Sequence, residues 1–253
     1  MTATVVFASG KGGVGKSTVA VNVAAALARE GVRIGLVDAD VYGPDIPAMV
    51  GLTRRTPARS VTLWQRDLPP LEPVERFGIP IVSAQFLLSE EQALDWSAPL
   101  VALLLRRLVT DVAWPAEPDL LLVDVPPGTG DLQQDLLGLV PDAQVVLVVT
   151  PQHAAHLDCR KMVSMLRRRK TALLGGVENM SGYACPSCGH QTPLFPPVAA
   201  EHAIWAEDVE RLGAIPFHPT TGHVHAPVVV TDPDAAASRE FTTVARRIAE
   251  RVG

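Results

Sequence analysis

Short, unbroken runs of apolar and β-branched residues alternate along this chain with longer stretches whose apolar positions recur every three to four residues. The runs at 4–8, 33–37, 79–83, 119–125, 144–150 and 173–177, with a short one near Ile215, predict strands, because a strand buried on both faces reads as continuously apolar. The stretches at 16–29, 100–112, 132–139, 157–169, 199–212 and 235–251 predict helices, the first stopped by Gly31. Strand and helix in alternation predict an α/β fold, a mostly parallel sheet flanked by helices on both faces. Ligands of such sheets bind at the carboxyl ends of the strands. The last helix sets Phe241, Val244, Ile248 and Val252 on one side, which predicts packing on the sheet rather than membrane anchoring.

A chain of 253 residues, 47% hydrophobic and without a break in composition, is expected to form a single domain over 1–253. A surface excursion is expected at about 53–77, where Pro57, Pro69, Pro70 and Pro73 stand among charges. No stretch nears the ~20 consecutive apolar residues of a membrane-spanning helix, so no membrane partner is expected. The first strand starts at once, which leads to the expectation of no leader and a cytoplasmic location. The net charge of −5 offers no broad basic surface for nucleic acid. The one basic run, from Arg167 to Lys170, falls at a predicted helix end, where cations complement the dipole.

The chemistry begins at Gly10-Lys11-Gly12-Gly13-Val14-Gly15-Lys16-Ser17-Thr18, which follows the first strand and opens the first helix as a phosphate-binding loop does. The glycines let backbone N–H groups point at phosphate oxygens, and the helix N-terminus favours their charge. Lys16 is expected at the β- and γ-phosphates, Ser17 on Mg²⁺ and Thr18 at the α-phosphate. The second strand ends in Asp38-Ala39-Asp40; Asp40 is expected to orient or deprotonate the attacking water and Asp38 to lie near Mg²⁺, although an Asp at a strand end is also a common turn former. The apolar run ending in Asp124 is a Walker B pattern for Mg²⁺. In the turn that follows, Gly128 and Gly130 can offer N–H groups to the γ-phosphate. Asn179 has an amide suited to the adenine edge, or to an ordinary turn.

Cys185 and Cys188 form a CxxC in a turn-rich loop at about 180–197. Two thiolates do not close a site, so the simplest completion is the same pair from a second subunit across a two-fold axis. Such a four-thiolate site suits a [4Fe–4S] cluster or zinc alike. Cys159, on a helix, is expected to be a packed thiol. His223 and His225 read as a solvated loop, and His153 and His156 lie near a helix start.

The loop at 10–18 is similar to the deviant Walker A motif of the nitrogenase-iron-protein, MinD and ParA-like ATPases. In those families the early lysine, here Lys11, crosses a dimer interface to the partner's phosphates; read alone it is a solvated loop lysine. Taken in order with Asp38-Ala39-Asp40-Val41-Tyr42-Gly43-Pro44, Val125-Pro126-Pro127-Gly128-Thr129-Gly130-Asp131, Glu178-Asn179-Met180-Ser181 and Cys185-Pro186-Ser187-Cys188-Gly189, it resembles the Mrp/ApbC family of iron–sulfur cluster carrier ATPases over essentially the whole chain. The resemblance implies a homodimer that hydrolyses ATP slowly with Lys11, Lys16, Asp40 and Asp124, holds a [4Fe–4S] cluster on Cys185 and Cys188 of both subunits, and delivers it to apo-proteins. A positioning or partition ATPase of the MinD/ParA type and a structural zinc dimer are the alternatives. Three departures stand out: Trp96-Ser97-Ala98-Pro99 where the family has Trp-Arg-Gly-Pro, Asp45 where it has Ser, and a histidine-rich 218–227.

Overall fold

The structure is a computed structural model and describes residues 2–52, 68–87, 97–185, 188, 190–219 and 225–253. In chain order the first half runs β1 (Ala3–Ala8), α1 (Lys16–Arg29), β2 (Ile34–Asp38), α2 (Ile46–Met49), β3 (Val74–Arg76), β4 (Ile79–Ser83), α3 (Ala98–Thr110) and β5 (Leu120–Asp124). The second half runs α4 (Asp131–Leu139), β6 (Gln144–Val149), α5 (His153–Arg169), β7 (Ala172–Ala184), β8 (Gln191–Thr192), β9 (Arg211–Phe217), α6 (Val228–Thr231) and α7 (Ala236–Val252). The strands lie in the order β3-β4-β2-β5-β1-β6-β7-β8, with β9 also paired to β7. Among the described residues only β3 on β4 and β8 on β7 are antiparallel.

This order places β1 between β5 and β6, with β2 beyond β5, and the register makes their carboxyl ends flush: Phe7 and Asp38 both pair with Asp124. The phosphate loop therefore leaves the sheet beside two strand-end carboxylates. All five residues of β5 are buried, as a central strand covered on both faces requires. In α1, Ala20, Ala24 and Ala25 are buried, and their small side chains let the helix lie close on the sheet. Phe241, Val244 and Ile248 of α7 are wholly buried and Val252 packs against the same core, as the spacing predicts.

Two expectations are corrected. The stretch 199–212 is not a helix: it makes single 3₁₀ turns at Ala200–His202 and Ile204–Glu207 and then enters β9 at Arg211. Asp208 takes a left-handed conformation that ends the second turn, and burial of Leu212 and Ile215 beside β7 outweighs the helix preference of the alanines. The sixth strand, expected at 173–177, runs on to Ala184, because its polar second half is held by pairing with β8 and β9 rather than by apolar periodicity.

Of the excursion at 53–77, residues 53–67 lie outside the described residues. The return is pinned: Leu71 N–H donates to Asp111 O (2.8 Å), Ala113 N–H donates to Leu71 O (2.9 Å), and Arg107 Nη2 donates to Pro69 O (2.5 Å). Within the basic run, Arg167 joins Arg160 in holding Glu207 and Arg169 donates to Gln134 O. Among the described residues no helix is long and apolar enough to cross a membrane.

Candidate functional site

The loop between β1 and α1 turns on Gly13 and Gly15, whose φ angles of 80° and 81° are left-handed. Gly15 is the residue before α1, and no side chain caps that helix, so its first N–H groups are left for an anion in the concavity of the loop. Below the loop, buried Asn179 of β7 donates from Nδ2 to Val14 O at 2.9 Å. A Cβ on Gly15 would fall 2.2 Å from that nitrogen, so the position excludes side chains on two grounds. Gly10 is pressed as closely on α5, where a Cβ would stand 2.3 Å from the Asp158 carbonyl carbon and 2.5 Å from Cys159 N. Those atoms are backbone and cannot yield. Gly10→Ala is expected to lose roughly 2–4 kcal/mol of stability in denaturant titration, whereas Gly12→Ala, with its nearest atom 3.8 Å away, stays within about 1 kcal/mol of wild type.

Lys16 and Ser17 meet the Walker B carboxylate: Lys16 Nζ lies 2.6 Å from Asp124 Oδ1, and Ser17 Oγ donates to Oδ2 at 2.5 Å. Asp40 Oδ2 stands 3.9 Å from the same ammonium. The two acids after β2 separate clearly. Asp38, still on the strand, is fully buried and accepts from Ser83 Oγ (2.8 Å), Ile46 N–H (3.3 Å) and Asp40 N–H (3.3 Å), so it organises the turn. Asp40, past the strand end, keeps 13% of its side chain exposed and looks onto Lys16. Burial pushes all three carboxyls up, Asp38 well above the usual range; Asp124 adds repulsion on Asp38 and Asp40, and Lys16 opposes the shift. Asp45, exposed just before α2, adds to the upward push on Asp124. Three acids around one lysine form a site short of positive charge, which fits Mg²⁺ held by Ser17 Oγ with Asp124 behind it. Among the described residues no group of three or more His, Cys, Asp or Glu forms a metal cage.

In the turn after β5 the Gly128 N–H donates to Ser9 O at 2.8 Å and ties the turn to the phosphate loop. Gly130 directly precedes α4. Lys11 Nζ donates to Gln152 Oε1 (3.3 Å), at the start of α5 in the same chain.

Past Asn179, Met180 takes a left-handed φ of 56°, and β7 then enters a hairpin with β8. Tyr183 pairs with Thr192, Ala184 with Gln191, and Cys185 N–H donates to His190 O at 2.9 Å, so the CxxC occupies the hairpin tip. Cys185 is half-buried and Cys188 exposed. Pro186, Ser187 and Gly189 lie outside the described residues. At a strand rise of about 3.3 Å per residue, the step from Asn179 to Cys185 spans at most about 20 Å.

Residues 1–249 match the profile of the ParA family described as the NUBPL iron-transfer P-loop NTPase. The chain belongs to this family. It is 37% identical over 247 residues to the iron-sulfur cluster carrier protein of Escherichia coli K12, covering 96% of this chain and 64% of that relative, so the chain spans less than two thirds of the relative's length. Among solved structures, a nucleotide-binding protein of Archaeoglobus fulgidus in complex with ADP superposes with a TM-score of 0.70 at 33% identity, over 96% of this chain and 86% of that one. The septum site-determining protein MinD of Pyrococcus horikoshii, complexed with Mg-ADP, superposes at 0.74 over 100% and 98%, and at 22% identity it supports the fold alone.

In this family member several supporting residues carry no local sequence signal. Gln152 under Lys11 and Ser83 on Asp38 are known only once strands distant in sequence lie side by side, while Gln133, on α4, donates from Nε2 to Pro126 O seven residues before it. Cys159 is the packed thiol expected, pushed up to about 11 by burial. Of the histidines, His223 lies outside the described residues and His225 is exposed, while Trp96 of the altered Trp-Arg-Gly-Pro stretch is outside them too and Ser97 directly precedes α3.

His156 is buried, accepts from Ile204 N–H at Nδ1 (3.1 Å), and faces Glu178, Arg211, His153 and Trp205. Burial first, then Arg211 and His153, push it down to about 4 from 6.5. A histidine held neutral this way contributes stability that is fully present above pH 6.5 and is lost as pH falls through 4. Thermal melts should register about 3 kcal/mol of that loss, and His156→Asn, whose Oδ1 can replace Nδ1 as acceptor, should flatten the acid limb.

Proposed function

We propose that this family member binds Mg-ATP, hydrolyses it slowly as a homodimer in the cytoplasm, and carries a [4Fe–4S] cluster on Cys185 and Cys188 of both copies for delivery to apo-proteins. The observation that carries the reading is the continuity of β7, which grips the phosphate loop through Asn179 and ends in the cysteine hairpin. A change in the loop on nucleotide binding thus has a covalent route to the metal-binding tip. In this mechanism Lys16 neutralises the β- and γ-phosphates, Ser17 ligates Mg²⁺, and Asp124 holds both side chains in place. Asp40 takes the proton of the attacking water, its raised affinity for a proton suiting a base, and Asp38 fixes the turn that presents it. Lys11 leaves Gln152 and reaches the partner's phosphates. Thr18 steadies the α-phosphate, and Asn179 has Oδ1 to offer the adenine amine while Nδ2 stays on Val14.

The test is anaerobic reconstitution of the full chain, with iron, sulfide and zinc measured per dimer and transfer to an apo-acceptor followed with and without ATP. Iron and sulfide in equal amounts, four of each per dimer, and ATP-dependent transfer support the reading. Zinc without sulfide, or a strict monomer at saturating Mg-ATP, overturns it.

A further inference from the structure

Residues 179–200 include no Asp, Glu, Lys or Arg, in a chain that is 19% charged. The described part of this stretch is nonetheless largely at the surface: Leu194 is 40% exposed, and Pro193, Pro196 and Pro197 are exposed beside it. Phe217, at the end of β9 and 39% exposed, pairs in register with Tyr183, and their rings are 6.4 Å apart. Tyr183 precedes Cys185 by two residues and pairs with Thr192, which precedes Leu194 by two, so Tyr183, its partner Phe217 and Leu194 all stand within a few positions of the base of the cysteine hairpin. Exposed apolar side chains in a stretch depleted of charge are the signature of an interface core.

The symmetry of a shared centre decides what covers it. If four thiolates from two hairpins hold one centre, both tips lie on a two-fold axis, and whatever flanks the tip meets its own copy across that axis. A four-thiolate cluster is anionic, and the absence of carboxylates from residues 179–200 avoids repulsion that a low-dielectric interface would strengthen. We propose that Tyr183, Leu194 and Phe217 form an apolar collar that closes on the same collar of a second copy of this chain and shields the shared metal centre from water and dioxygen. The inference rests on the carrier reading and adds to it the residues that set how long the centre survives.

Full-length wild type, Leu194→Ala, Phe217→Ala and Leu194→Glu would be reconstituted without oxygen and mixed with air-saturated buffer, following the visible thiolate-to-iron absorbance, with dimer mass by sedimentation and Mg-ATP binding measured alongside. The alanine variants should fold and bind Mg-ATP as wild type does, since both side chains are exposed in the single chain, yet lose the chromophore on the order of tenfold faster. Leu194→Glu should be faster still and dimerise more weakly. Wild-type lifetimes in both alanine variants overturn the proposal, as do wild-type lifetimes with slowed transfer, which would assign this surface to the acceptor. Failure of the carrier reading is separate: wild type itself would take up no iron and sulfide.

Discussion

The Lys16→Met protein is expected to lose ATP hydrolysis by at least about a hundredfold, and to become less stable at pH 7 than at pH 5. The first effect follows from removing the cation that the loop offers to the phosphates. The second follows from what Lys16 does in the empty site, where its Nζ stands 2.6 Å from Asp124 and 3.9 Å from Asp40. Both carboxyls, with Asp38 behind them, are already raised by burial. A raised carboxyl contributes stability that is present below its unfolded value and disappears as pH climbs through its folded value. Without the lysine those folded values climb further, so the deficit grows toward neutrality and reaches roughly 3–5 kcal/mol, the cost of breaking a buried ion pair from one side. Turnover assays give the first number, and melts at the two pH values give the second. Equal stability at both would mean that solvent already screens the three acids.

Loss of either thiol, in Cys185→Ala or Cys188→Ala, is expected to cut retained iron and sulfide to about a tenth or less of wild type, because each substitution removes two of four ligands from a two-fold site. Nucleotide binding should persist, since neither cysteine is among the residues that hold the phosphate loop, where Asn179, Asp124 and Gln152 make the contacts. Metal analysis and equilibrium ATP binding on the same preparations check both halves. Cys159→Ala should leave metal content unchanged, because that thiol sits beneath Gly10, closed off by the phosphate loop and α5.

The central strands and the phosphate loop are legible in the sequence because a buried parallel strand must be continuously apolar and a phosphate cradle must be glycine-rich. The contrast between Asp38 and Asp40 is not. Both end the same run, and only the point where β2 stops decides that one is buried on Ser83 and the other turns to Lys16. The stretch 199–212 misleads because its alanines favour a helix locally, while the sheet needs Leu212 as its next buried strand residue. The second half of β7 is polar, so no periodicity marks it, yet it carries Asn179 to the loop and Cys185 to the hairpin. Lys11 with Gln152 lies beyond any pattern, since 141 positions separate the partners and only the adjacency of β1 and β6 brings them together.

The sealed third cysteine gives the protein an internal tally. Burial holds its proton to about pH 11, so a maleimide at neutral pH has only the two hairpin sulfurs to modify in the native chain, and gains a third on denaturation. Labelling stoichiometry by mass spectrometry can therefore report, in one sample, whether the chain is folded and whether its tip is loaded: none for the loaded fold, two for the empty fold, three for the open chain.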